Sequence, residues 1–148
     1  MTQGAEQFLA DAKTTAQAGS MLAGTLPDAS IVGIDGPLGA GKTTFVRGLA
    51  MALGVPSADI SSPSFTIVIE HTLPQGRVLR HVDAWRLGSI NELEDLGWDQ
   101  WAGAPGTLTV IEWASRIENA LPATAHRLLL DYAEGSGRVL SAASGEMP

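Results

Sequence analysis

Residues 36–43 read Gly-Pro-Leu-Gly-Ala-Gly-Lys-Thr, a complete G-x-x-x-x-G-K-[ST] phosphate-binding loop. The apolar run Ile31–Ile34 precedes it and the helix-like segment Thr44–Leu53 follows it. Strand, glycine loop and helix in that order are the context the motif requires, so this part of the chain is committed to an α/β unit with an anion site at the helix N-terminus. Glycines at 36, 39 and 41 permit positive φ and let successive backbone N–H groups approach phosphate closely. Lys42 is then a point charge for the β- and γ-oxygens, and Thr43 a hydroxyl ligand for Mg²⁺. Lysine is otherwise scarce, since the chain has only Lys13 and Lys42. The loop points to a nucleotide triphosphatase or a kinase.

The rest of the chain supplies a sheet around this unit. Phe8–Ala12 alternates weakly, as a short edge strand would, and Thr14-Thr-Ala-Gln17 offers a capping box for a helix running to about Ala23. Phe65–Ile69 and Val78–Asp83 are β-branched runs joined across Pro74-Gln-Gly76, the pattern of an antiparallel hairpin. Ser89-Ile-Asn-Glu92 is a second capping box, opening a helix that Gly97 ends. Thr107–Ile111 is nearly continuous apolar sequence, as expected of a strand buried on both faces. Leu128–Tyr132 and Arg138–Ala142 form a closing hairpin across Glu134-Gly-Ser-Gly137. The expected fold is a three-layer, P-loop NTPase-like α/β sheet of mixed direction, with flanking helices, a C-terminal strand hairpin and the ligand at the carboxyl ends of the central strands.

Length predicts that residues 1–148 form one domain. No apolar stretch approaches a membrane span and no basic-then-apolar leader opens the sequence, so a cytoplasmic protein is expected. With no cysteine, disulfides and thiolate metal sites are excluded. The net charge of −7, with seven dispersed arginines, argues against direct gripping of RNA or DNA and permits docking onto a basic protein partner.

A phosphate-binding loop needs a second carboxylate near the metal, and two strand-end acids qualify. Glu112 ends the buried run Leu108–Ile111 and is the expected Mg²⁺-side residue; Asp83 ends Val78–Val82 and would face the γ-phosphate or the attacking water. The loop Ser61–Thr66 falls where nucleotide switches place a γ-phosphate sensor, with hydroxyls available for metal or water. Trp113, next to Glu112, reads as a lid over the nucleotide, a partner surface or core packing. His81, on the same strand face as Asp83, reads as a packed histidine. The base is expected to be adenine, because no Asn/Thr-Lys-x-Asp guanine-reading segment occurs.

Taken in order, Thr15-x-x-x-Gly19, Leu38-Gly-Ala-Gly-Lys-Thr-Thr-Phe45 with Arg47-Gly48, Ser62-Pro-Ser-Phe65, His81-x-Asp-x-x-Arg86, Ile111-Glu-Trp113 and Asp131-Tyr132 followed by Gly137-Arg138 make a specific pattern. The chain resembles the TsaE (YjeE) family, small ATPases of tRNA threonylcarbamoyladenosine biosynthesis. The resemblance implies that Leu38, Gly39, Ala40, Gly41, Lys42, Thr43 and Thr44 bind ATP and that Thr43 and Glu112 hold Mg²⁺. It further implies that Asp83 serves hydrolysis, that Thr15 and Arg138 flank the adenine, and that Trp113 contributes to activity. With Lys42, Asp83 and Glu112, the switch residue Ser64 completes the implied catalytic set. The implied partners are a TsaB–TsaD-like pair that transfers threonylcarbamoyl to tRNA, with tRNA reached only indirectly and slow ATP turnover resetting the pair. Three positions depart from the family pattern: Pro37 replaces an aspartate and removes a loop N–H, Ser64 replaces threonine, and Trp85 replaces tyrosine. A small-molecule kinase and a non-catalytic, nucleotide-gated adaptor remain as alternatives, although Arg116, Arg127 and Arg138 are spaced eleven apart rather than clustered as in a kinase lid.

Overall fold

Every residue of the apolar run ending in Glu112 is buried, and this run lies inside the sheet. The computed structural model describes residues 6–60 and 67–142. Its strands are β1 (Glu6–Leu9), β2 (Ile31–Asp35), β3 (Val68–Thr72), β4 (Val78–Asp83), β5 (Thr107–Glu112), β6 (His126–Tyr132) and β7 (Arg138–Ala142). Its α-helices are α1 (Ala12–Ala23), α2 (Lys42–Ala52), α3 (Ile90–Asp95) and α4 (Trp98–Trp101). The strands form one sheet in the order β1-β7-β6-β2-β5-β4-β3. β6, β2, β5 and β4 run parallel, while β3 and the β7–β1 pair are antiparallel additions at the two edges.

Alternation along the parallel strands sends side chains to two cores. Val32, Ile34, Leu79, Leu108 and Val110 pack with Phe45, Val46 and Leu49 of α2 and with α1, whereas Ile31, Val82 and Ile111 pack with Leu93, Trp98 and Ile117 on the other face. The architecture is therefore the mixed three-layer sheet that the sequence predicts, closing hairpin included. No helix among the described residues is long and apolar enough to cross a membrane.

Local signals are altered in three places. The N-cap of α1 is Asp11, not Thr14: its carboxylate accepts from Thr14 N at 2.8 Å and Thr14 Oγ1 at 2.7 Å, and a carboxylate already placed at the helix start takes over the capping that Thr14 offered. These bonds hold the Asp11 carboxyl below its ordinary value. Ser89 is the N-cap of α3, but Glu92 reaches back to Gly88 N at 3.3 Å, so the reciprocal box is not formed; Gly97 ends the segment with φ 91°. Finally, the first hairpin strand is described from Val68 to Thr72, later than Phe65–Ile69, and Phe65 and Thr66 lie outside the described residues.

Candidate nucleotide and metal site

The parallel strands β2, β5 and β4 bring Asp35, Glu112 and Asp83 to one end of the sheet, with Asp83 directly opposite Glu112 in the register. The phosphate-binding loop leaves β2 at that end, so three strand ends converge on the N-terminus of α2. Gly41 caps α2 with φ 100°, a left-handed conformation that side-chain-bearing residues rarely adopt.

The loop carbonyls are held from outside. Lys42 Nζ donates to Gly36 O at 2.7 Å and Pro37 O at 2.9 Å, the Tyr132 hydroxyl donates to Leu38 O, and Arg138 donates to Gly39 O at 3.2 Å and Ala40 O at 3.0 Å. Five successive carbonyls thus have side-chain donors. Because a trans peptide points its N–H opposite to its C=O, holding the carbonyls of 38 and 40 turns the N–H groups of Gly39 and Gly41 away from Tyr132 and Arg138. Those amides and the free first turn of α2 are the donor set that a polyphosphate fits. Pro37, the departure in this loop, contributes its carbonyl to Lys42 and to Ala40 N.

Lys42 is only 5% exposed. Burial pushes its ammonium below the ordinary lysine value, opposed by the pull of Glu112, Asp35 and Asp83. Its Nζ also lies 3.9 Å from the centre of the Trp113 ring. Trp113 has φ 61° and ψ 44°, an unusual conformation for an aromatic residue. It is held by donation of its N–H to Ile34 O at 2.9 Å and, two residues later, by donation of Ser115 N to Asp35 Oδ1 at 2.9 Å. Trp85 packs on Trp113 at 4.6 Å between ring centroids, and the Arg116 guanidinium lies 4.5 Å from the Trp85 ring. The tryptophan that departs from the family's tyrosine is therefore half of an indole pair at the cavity wall.

Thr43 Oγ1 donates to Glu112, at 3.0 Å from Oε1 and 3.1 Å from Oε2. Asp83 is 8% exposed and accepts from Trp85 N at 3.0 Å. Hydroxyl and carboxylate oxygens are the hard donors Mg²⁺ takes, so the Thr43–Glu112 pair has the chemistry to hold a small divalent cation beside the loop. A cavity of about 400 Å³ separates the loop from Asp83, Glu112, Trp85 and Trp113. A smaller one, about 240 Å³, lies behind the loop and is lined by Leu9, Asp11, Thr15, Thr44 and Arg138. A cavity larger than either, about 770 Å³, is at the opposite end of β2 near Ser30 and His126, and none of the sequence-expected site residues lines it.

The structure thus brings together Leu38, Gly39, Gly41, Lys42, Thr43, Thr44, Asp83, Glu112 and Trp113 around one cavity, and places Thr15, Ala40 and Arg138 at the adjoining one. Thr15 donates its hydroxyl to Asp11 O at 3.1 Å, leaving its methyl towards Gly41. Ser64 lies outside the described residues. Three residues make contacts at the site that the sequence did not assign to them. His81 is fully buried and its Nε2 is 2.6 Å from Glu112 Oε2, a contact signalled only by its two-residue spacing from Asp83. Asp35, immediately before the loop, accepts from Arg127 at 3.0 Å as well as from Ser115. Tyr132, the single tyrosine, clamps the loop.

The family described as threonylcarbamoyl adenosine biosynthesis protein TsaE matches residues 9–140. The tRNA threonylcarbamoyladenosine biosynthesis protein TsaE of Treponema pallidum is 38% identical over 75% of this chain and 79% of its own length. The protein of the same name from Nostoc sp. is 37% identical over 88% of this chain and 80% of its own. The crystal structure of YdiB from Bacillus subtilis superposes with a TM-score of 0.75 at 27% identity, covering 96% of this chain and 86% of that one. The chain belongs to the TsaE family of threonylcarbamoyl adenosine biosynthesis proteins.

Proposed function

We propose that this chain is a Mg²⁺-dependent ATPase of the tRNA threonylcarbamoyladenosine machinery, slow alone and stimulated by a TsaB–TsaD-like pair that it resets. The observation that carries the reading is the meeting of the Thr43 hydroxyl and the Glu112 carboxylate at 3.0–3.1 Å on the first turn of α2, with Asp83 on the neighbouring strand. Mg²⁺ at these oxygens would neutralise charge developing on the transferred phosphoryl group. Lys42 and the loop amides hold the phosphates, Glu112 and Thr43 fix the metal's place, and Asp83 orients the attacking water. Trp113 closes one wall and limits solvent entry. Thr15 and Arg138 flank the adenine in the smaller cavity. The excess negative charge favours reaching tRNA through protein partners.

The kinase alternative is weakened by how the arginines are employed. Arg127 is bonded to Glu118 and Asp35, Arg138 to the loop carbonyls, and Arg116 lies on Trp85, so they form no lid over the phosphates.

Two measurements test the proposal. Glu112→Ala is expected to raise the Mg²⁺ requirement of nucleotide binding by about tenfold or more. Asp83→Ala should leave binding near wild type and slow hydrolysis by about 10²-fold or more. Calorimetric titrations at graded Mg²⁺ that gave the opposite pattern would exchange the two roles. ATP turnover should rise when the TsaB–TsaD-like pair is added. Equal rates with and without the pair would reject partner stimulation, and no turnover in either condition would favour the adaptor alternative.

A further inference from the structure

Glu112 has a second neighbour besides Thr43. Its side chain is 5% exposed, and Oε2 lies 2.6 Å from Nε2 of His81, whose own side chain is 1% exposed. The register explains the meeting. Asp83 stands opposite Glu112 on adjacent parallel strands, and His81, two residues earlier, projects from the same face of β4 towards α2. A carboxylate oxygen can only accept, so a contact this short requires the imidazole to carry its proton on Nε2 and donate it. His81 Nδ1 is buried with no hydrogen-bond partner. The imidazole therefore commits its one satisfied polar contact to Glu112, although burying the other nitrogen unpartnered is destabilising.

The alternative available to Glu112 is Lys42. The two side chains attract across the same cavity, and a carboxylate free to rotate would be drawn to the ammonium. The carboxylate would then be turned from the metal position, while Lys42 keeps its bonds to Gly36 O and Pro37 O. The donor from His81 holds one carboxylate oxygen on the sheet side, which keeps the group turned to Thr43 at the metal position. We propose that His81 is a positioning residue for Mg²⁺ binding, acting through the 2.6 Å bond from its Nε2–H to Glu112. The proposal rests on the Mg²⁺–nucleotide reading of the site and adds a residue to it.

The test is calorimetric titration of ADP into wild type, His81→Leu, His81→Gln and His81→Asn across a range of Mg²⁺ concentrations, with each variant's fold checked by circular dichroism. His81→Leu should raise the Mg²⁺ needed for half-maximal tightening of ADP binding by about 10–100-fold. Affinity without Mg²⁺ should stay at the wild-type value. His81→Gln, whose amide reaches the Nε2 position, should recover most of the Mg²⁺ response; His81→Asn, whose amide reaches only the Nδ1 position, should not. A wild-type Mg²⁺ requirement in His81→Leu, or equal losses with and without Mg²⁺, would overturn the proposal and leave a packing role. If His81→Leu does not fold, the Gln and Asn variants decide, since equal behaviour of the two would also overturn it. A wild-type chain whose ADP affinity ignores Mg²⁺ would instead overturn the metal-site reading itself, and this proposal with it.

Discussion

Lys42→Ala is expected to abolish measurable ATP binding while leaving the fold intact. The ammonium donates to two loop carbonyls, at 2.7 and 2.9 Å, and lies against Trp113, so its removal deletes a buried cation and releases one side of the loop together. A hydrogen bond to a charged group contributes about 1.5–3 kcal/mol, so losing the bonds Lys42 would make to phosphate lowers affinity by about 10²-fold or more. Isothermal calorimetry with ATP and Mg²⁺ measures this directly, and circular dichroism separates it from unfolding. An unchanged dissociation constant would remove the basis for placing phosphate in this loop. No other lysine can substitute, because Lys13 is on α1, outside the cavity lining.

Gly48→Ala is expected to destabilise the whole domain. Helices α1 and α2 touch through two glycines: a Cβ on Gly48 would lie 1.9 Å from Ala16 O, and one on Gly19 would lie 2.0 Å from Phe45 O. Both obstacles are backbone atoms, so relief requires one helix to shift against the other. Overpacking of this kind costs about 3 kcal/mol, which for a chain of this size lowers the melting temperature by roughly 10 °C. Since α2 begins at Lys42, the same displacement moves the phosphate site and should weaken nucleotide binding in the protein that remains folded. A thermal melt within 2 °C or so of wild type would show that the helices separate at little expense.

These two positions show what was legible from sequence. Lys42 announced itself by spacing within an eight-residue motif, and β5 by an unbroken apolar run, because both depend on neighbours in the chain. The closing hairpin was legible for the same reason, through Gly137 between two apolar segments. Gly48 stood in the family pattern beside Arg47, yet nothing local said that it faced Ala16 across a helix crossing. The strand-end positions of Asp83 and Glu112 were anticipated, but their juxtaposition depends on β4 pairing with β5, and the His81–Glu112 bond spans 31 positions. The Thr14 box was misread because Asp11 capped the helix first.

The clamp on the loop carbonyls also fixes an order of events during synthesis. Tyr132 and Arg138 lie 94 to 99 positions beyond the carbonyls they hold, and β1 enters the sheet only through β7. A nascent chain that has just released its glycine loop from the ribosome has neither clamp nor edge strand in place. The clamped form of the loop is therefore assembled late, after nearly every described residue has emerged, and the closure of so long a loop makes it a slow step of folding. The nucleotide binding proposed for this loop would then be gained only once the chain extends past Arg138.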